Sequence, residues 1–177
     1  FMRIAVLHAS AGHGHAQAAQ AAREGLIAAG HPESDVYVHD VLEDTPAWFR
    51  TFYTSSYYYS VKHTPQSWGY AYALMDQERF YQVVGLRGRR FINDRVARDL
   101  VRRIEKEKPA AILSTHFLAP EVLGRAKKRG ILSSFLVTIV TDFIPHRFWM
   151  NPGTNHYWVM SEEGKQILIK RGVPQEK

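Results

Sequence analysis

An α/β fold built on a Rossmann-like parallel sheet, with helices on both faces, is the class this sequence predicts. Three observations carry the prediction. Short apolar runs alternate with helical segments along most of the chain. The runs hold Val, Ile and Ala on both faces, the composition of parallel strands buried from two sides. The first run also passes through a turn of small residues straight into an alanine-rich helix.

"RIAVLH" (3–8) reads as the first strand. The segment from His15 to Ala29 reads as a helix, because alanine is the best helix former and Gly30 stops it. "DVYVHDV" (35–41) is a second strand, "AAILST" (110–115) a third and "SFLVTIVTD" (134–142) a fourth, with "NHYWVM" (155–160) a short last one. Pro120 to Arg129 forms a helix ended by Gly130. Ser161 caps the final helix, with Glu162 and Glu163 in its first turn and Lys170 and Arg171 in its last, before Gly172 and Pro174. In parallel sheets ligands bind beyond the C-terminal strand ends. The loops 9–15, 115–119 and 141–152 therefore share one rim.

The middle section, about 46–108, breaks the alternation. Its first half, "WFRTFYTSSYYYSVKHTPQSWGYAYALM", is too aromatic for a solvated loop. It is either helix packed on the sheet or a surface for something greasy. Its second half is basic: Arg79 to Lys108 holds ten Lys/Arg against four Asp/Glu, the whole of the chain's +6 surplus. Phe91, Ile92, Val96, Leu100, Val101 and Ile104 recur there at helical spacing, so one face packs and the other is basic.

The 177 residues suffice for one domain with a hydrophobic core. With no cysteine, disulfides and thiolate metal sites are excluded. No apolar run approaches the roughly 20 residues that span a bilayer, and no signal peptide is expected. Phe1 before Met2 reads as a cloning remnant, with Met2 the start.

"SAGHGH" (10–15) invites a phosphate or a sugar hydroxyl, because backbone N–H groups and a helix N-terminus meet there. Gly12 and Gly14 match the first two glycines of a dinucleotide fingerprint, but Gln17 stands where the third belongs. No Lys-Ser/Thr pair follows to make a P-loop. A histidine at position 15 sits against a helix dipole that disfavours its cationic form and favours neutral imidazole, a base near neutral pH. The plainer alternative is a histidine that caps the helix or bonds a neighbouring loop; His13 reads as structural or solvent-facing. Thr115 and His116 stand on the second rim loop. Asp142, His146 and Trp149 stand on the third, where Asp and His could orient each other or hold a substrate hydroxyl. Three rim histidines make zinc conceivable, but Asp142 and His146 lack a convincing third ligand, and no metal is expected.

"SAGHGHAQAAQAA", "THF", "VTDFIPHRFW" and "YWVMSEEGKQILIKRGVP", in this order, resemble the N-terminal domain of the monogalactosyldiacylglycerol synthases and, equally, the bacterial processive diacylglycerol glucosyltransferases. The resemblance runs from Met2 to Pro174 and extends, more distantly, to the peptidoglycan lipid-intermediate N-acetylglucosaminyltransferase. It implies the N-terminal half of a GT-B glycosyltransferase, with residues 2–174 as the acceptor-side domain and 46–108 as its membrane-facing insertion. The implied reaction moves a hexose from UDP-glucose or UDP-galactose to diacylglycerol with inversion and without metal or other cofactor. His15 falls on the family's proposed base, and Asp142, His146 and Trp149 fall on its Asp-to-His-x-x-Trp stretch; Gly12, His13, Gly14, Thr115 and His116 complete the acceptor or phosphate site.

A lipid acceptor implies peripheral docking on the cytoplasmic face of a membrane. Trp48, Phe49, Tyr57, Tyr58 and Trp68 supply interfacial aromatics. Arg87, Arg89 and Arg90 face anionic lipid at about 1 kcal/mol per contact. The same aromatics packed into the domain's own core remain the alternative. The chain departs from the family in reading Gly12-His13-Gly14-His15 where the synthases commonly have three glycines before the histidine. It also ends at Lys177, where the nucleotide-sugar domain is expected to begin, so the chain alone is expected to be inactive. Other readings stay open: a membrane-binding module without chemistry, a domain acting on a polyprenyl-linked acceptor, and a nucleic-acid binder. For the last the basic run offers charge but no recognition motif, and no nucleic acid is expected.

Overall fold

In a computed structural model the protein is described over residues 2–63, 76 and 86–177. Five strands form one parallel sheet: β1 (Ile4–His8), β2 (Val36–Asp40), β3 (Ala111–Ser114), β4 (Phe135–Ile139) and β5 (His156–Trp158), in the order β2-β1-β3-β4-β5. The strands are shorter than the apolar runs that contain them. Six helices flank the sheet among the described residues: α1 (His13–Ala28), α2 (Ala47–His63), α3 (Leu86–Val96), α4 (Arg98–Glu107), α5 (Leu118–Lys128) and α6 (Glu162–Lys170). The α/β class and the Rossmann-like sheet are as the sequence predicts.

Alternation along each strand divides the core between two faces. Ile4, Val6, Leu113 and Val137 point toward α1, where Ala19, Ala22 and Leu26 meet them. Ala5, Leu7, Ile112 and Leu136 point the other way, toward Phe49 of α2, Val96 of α3, Leu100 and Ile104 of α4, and Leu118, Val122 and Leu123 of α5. Val140, Trp149, Leu168 and Val173 pack a third cluster beside β5 and α6.

Helix ends follow local chemistry. Gly30, Gly130 and Gly172 take positive φ just past α1, α5 and α6, where a side chain would be strained. Ser161 Oγ accepts the Gly164 N–H at 3.0 Å and caps α6. α1 starts at His13 rather than His15, because Gly12 (φ 106°) supplies the turn from which the helix winds. α5 starts at Leu118, ahead of Pro120; a proline is tolerated in a first turn, where its missing N–H has no partner to lose.

The middle section is helical in its described parts. On α4, Leu100 and Ile104 are buried while Arg98, Arg102 and Lys106 face outward. Arg103 is committed instead to Asp44, which it meets through Nε and Nη2 at 2.9–3.0 Å. Asp76 ties the section to the far rim loop: its carboxylate accepts from the Arg147 N–H (3.0 Å) and from both Arg171 Nη1 (3.1 Å) and Nη2 (2.6 Å).

Sheet order places the site. The chain leaves β1 toward β2 on one side, while β3 lies on the other, so the loops after β1 and β3 diverge at a topological switch point. The loop after β4 closes the third side.

Candidate functional site

Beyond the ends of β1, β3 and β4 lies a cavity of about 820 Å³. Its walls are largely apolar: Phe49, Phe52, Phe117, Leu118, Phe143, Ile144 and Phe148. Four of its polar side chains, His15, His116, Thr141 and Asp142, come from the three rim loops and the turn of α1 beside them. Phe52, Ile92, Phe143 and Ile144 are large apolar residues that line it and yet face outward, and Phe52 is 67% exposed.

His15 stands in the first turn of α1. Its Nδ1 lies 2.7 Å from the Thr115 carbonyl oxygen, and since a carbonyl only accepts, Nδ1 carries the proton. The hydroxyl oxygen of Thr141 lies 3.1 Å from the same nitrogen. Nε2 is therefore the basic nitrogen of the neutral ring. Thr115 returns the bond: its hydroxyl donates to the His15 carbonyl at 2.8 Å, clamping the first turn of α1 to the end of β3. Burial holds the His15 pKa below its ordinary value of about 6.5. The Thr115 carbonyl and the Asp142 charge oppose that shift, and His8 adds to it. Burial is the largest of these causes. Neutral imidazole is the form that can take a proton.

His116 is 2% exposed and meets His15 edge-on, ring centroids 4.7 Å apart. Its Nδ1 accepts the Leu118 N–H at 3.1 Å, which leaves the proton of the neutral ring on Nε2, 3.4 Å from the Tyr53 hydroxyl. Trp149 is fully buried and donates its indole N–H to Asp142 Oδ2 at 2.7 Å. His146 is buried away from the cavity wall; its Nδ1 accepts the Phe148 N–H at 3.1 Å and caps the short 3-10 turn Arg147–Trp149. Gly12 is the N-cap of α1, and His13 and Gly14 are exposed in its first turn.

Two of the sequence's placements change. Phe49, expected to face a membrane, is 6% exposed and packs in the main core, because it and Tyr53 share the inward stripe of α2. Trp149 is packed in the core, with its N–H on Asp142 and its ring beside that of His15. Trp48 and Tyr58 are exposed as expected. Trp68 lies outside the described residues, as do the side chains of Tyr57, Arg87, Arg89 and Arg90. Sequence reasoning did not single out Tyr53, Thr141, Phe143 or Ile144. Thr141 and the pair 143–144 sit inside the quoted "VTDFIPHRFW", but nothing in that string says which side chains converge. Among the described residues no group of three or more His, Asp or Glu is arranged to hold a metal ion.

The family model described as monogalactosyldiacylglycerol (MGDG) synthase matches residues 15–177, beginning at His15 itself. The chain belongs to the MGDG synthase family. The match takes in the cavity's described lining apart from Ala11. The chain is 24% identical over 177 residues to a processive diacylglycerol beta-glucosyltransferase of Staphylococcus carnosus (strain TM300), covering 98% of this chain and 42% of that protein. Proteins of the same name from Staphylococcus epidermidis (strain ATCC 12228 / FDA PCI 1200) and Staphylococcus aureus (strain Newman) are 25% and 26% identical, covering 97% of this chain and 41% of theirs. The chain thus spans about two fifths of the length of these relatives. No solved structure matches it.

Proposed function

We propose that this chain is the acceptor-side domain of an inverting, membrane-associated glycosyltransferase that moves a hexose from UDP-glucose or UDP-galactose to diacylglycerol. The observation that carries the reading is His15, with Nδ1–H fixed on the Thr115 carbonyl, at the wall of a large apolar cavity. Ligand pockets run from roughly 300 to 1,000 Å³, and this one lies near the top of that range, with walls suited to acyl chains. In the reaction His15 Nε2 takes the proton of the acceptor hydroxyl as its oxygen bonds to the sugar's anomeric carbon. The bond from that carbon to the diphosphate breaks, and its electron pair leaves on the nucleoside diphosphate. The first-turn N–H groups of α1, which no side chain caps, suit the charge developing there. The donor's nucleotide is held by a second Rossmann-like domain, so the chain alone carries no transferase activity. The relatives' names and their greater length support this division.

The outward stripe of α2 supports docking at the cytoplasmic face of a membrane. Trp48, Phe52 and Tyr59 repeat at helical spacing and are each more than 60% exposed. Lys62 and His63 end the same helix, and Arg95, Arg98 and Arg102 are exposed on α3 and α4. Among the described residues no helix is long and apolar enough to cross a membrane. Interfacial aromatics with flanking cations suit attachment to an anionic surface.

In sedimentation with phosphatidylglycerol vesicles the chain is expected to pellet, and added salt to weaken binding by screening. Replacing Trp48, Phe52 and Tyr59 together with serine is expected to leave the chain in the supernatant. Binding indifferent to lipid charge, salt and the triple substitution would contradict this docking face.

A further inference from the structure

The loop beyond β4 does more than close the cavity. Thr141 brings its hydroxyl to His15 Nδ1, and the next residue, Asp142, lines the same wall. Asp142 is held from behind. Trp149 packs with Val140, Leu168 and Val173, and a buried indole N–H needs an acceptor; Asp142 Oδ2 is that acceptor at 2.7 Å. The Trp149 ring centroid is 6.3 Å from that of His15, so the indole that holds Asp142 also neighbours the imidazole.

The titratable groups facing His15 come from three strand ends. His8 approaches from β1, His116 from the loop after β3, and Asp142 from the loop after β4. Thr115 and Thr141 offer neutral oxygens. Among the described residues that line the cavity, Asp142 is the one acid.

We infer that Asp142, oriented by the Trp149 indole, is the positioning carboxylate of His15, stabilising the positive charge that His15 gains on taking the acceptor's proton. The inference rests on the reading of His15 as base and deepens it. When the acceptor's O–H proton moves to Nε2, the ring becomes imidazolium inside apolar walls, where an unpaired charge is costly. The Asp142 carboxylate, on the same cavity wall, offsets that charge. The proton stays on His15 through the displacement and passes to water afterwards. The Asp142 charge favours protonated His15 against the opposing effects of burial and His8. Removing it lowers the ring's proton affinity.

The test is made on the full-length protein with carbon-labelled histidine, the His15 resonance being assigned by its loss in His15→Ala. Ring titrations and pH profiles of kcat/KM are recorded for the unaltered protein, Asp142→Asn, Asp142→Glu and Trp149→Phe. Asp142→Asn is expected to move the His15 midpoint and the acid limb of kcat/KM to lower pH. Its plateau turnover is expected to fall about tenfold, the equivalent of one unit of proton affinity. Trp149→Phe shifts both in the same direction by less, and Asp142→Glu restores part of the loss. A lower rate with an unmoved midpoint and acid limb in Asp142→Asn would overturn the inference. Asp142 lies at the cavity wall, so the Asp142→Asn titration decides the matter even where Trp149→Phe fails to fold. Near-native turnover in His15→Ala would instead overturn the base reading itself; an inactive His15→Ala beside an unmoved Asp142→Asn would overturn only the carboxylate's role.

Discussion

Replacing His15 with alanine in the full-length protein is expected to lower turnover roughly 10²- to 10⁴-fold, the usual contribution of a general base, with the fold intact. The substitution removes the ring and its bonds to the Thr115 carbonyl and the Thr141 hydroxyl. The clamp from the Thr115 hydroxyl survives, because its acceptor is the backbone carbonyl of residue 15. Alanine is also the better helix former in the first turn of α1. Stability should therefore change little, and the loss should appear in kcat more than in KM. Gln20→Ala is the matched control: Gln20 is exposed further along α1, outside the site, and should leave turnover near native. Steady-state kinetics on the two variants, with thermal melts beside them, separate chemistry from folding. Near-native turnover in His15→Ala would remove it from the mechanism.

Gly153→Ala is expected to destabilise the domain by roughly 3 kcal/mol or more, the upper range for overpacking. Gly153 is buried where the loop before β5 crosses α5, and a Cβ there would overlap the backbone of Gly124, its Cα and carbonyl oxygen included. Backbone cannot rotate aside as a side chain can. The crossing matters to the site because α5 follows directly on His116 and Phe117, and its first residue, Leu118, lines the cavity. A shift of α5 would therefore disturb the cavity wall as well as the core. For a domain of this size the midpoint of a thermal melt should fall by about 6–12 °C. The reciprocal change, Gly124→Ala, meets Gly153 Cα at 3.2 Å and should be milder. An unchanged melting temperature in Gly153→Ala would contradict the packing described.

The parallel sheet was legible because each buried strand is a compact apolar run and each following helix has its own stop signal. The residues of the site were legible singly, as polar side chains at strand ends. Their geometry was not. His15 and Thr141 are 126 positions apart and meet because β1, β3 and β4 are neighbours in the sheet, an order no local pattern states. Aromatic composition likewise could not separate core from surface in α2. A helix turns its residues to all sides, so Trp48 and Phe49 are adjacent in sequence and opposite in environment. Trp149 serves core and site at once. Its indole is apolar enough for the core, while its N–H reaches into the site. His146 carried the same type and spacing as a site residue, yet its ring nitrogen is taken by the turn it caps.

Titrating dioctanoylglycerol into the chain, with the side-chain resonances of His15, His116, Phe117 and Phe148 followed by NMR, tests the acceptor role of the cavity most directly. Saturable shifts are expected at these residues, since all four line the cavity. Spectra in which they stay unmoved at saturating lipid, or in which shifts are confined to the basic outer face of α4, would contradict that role.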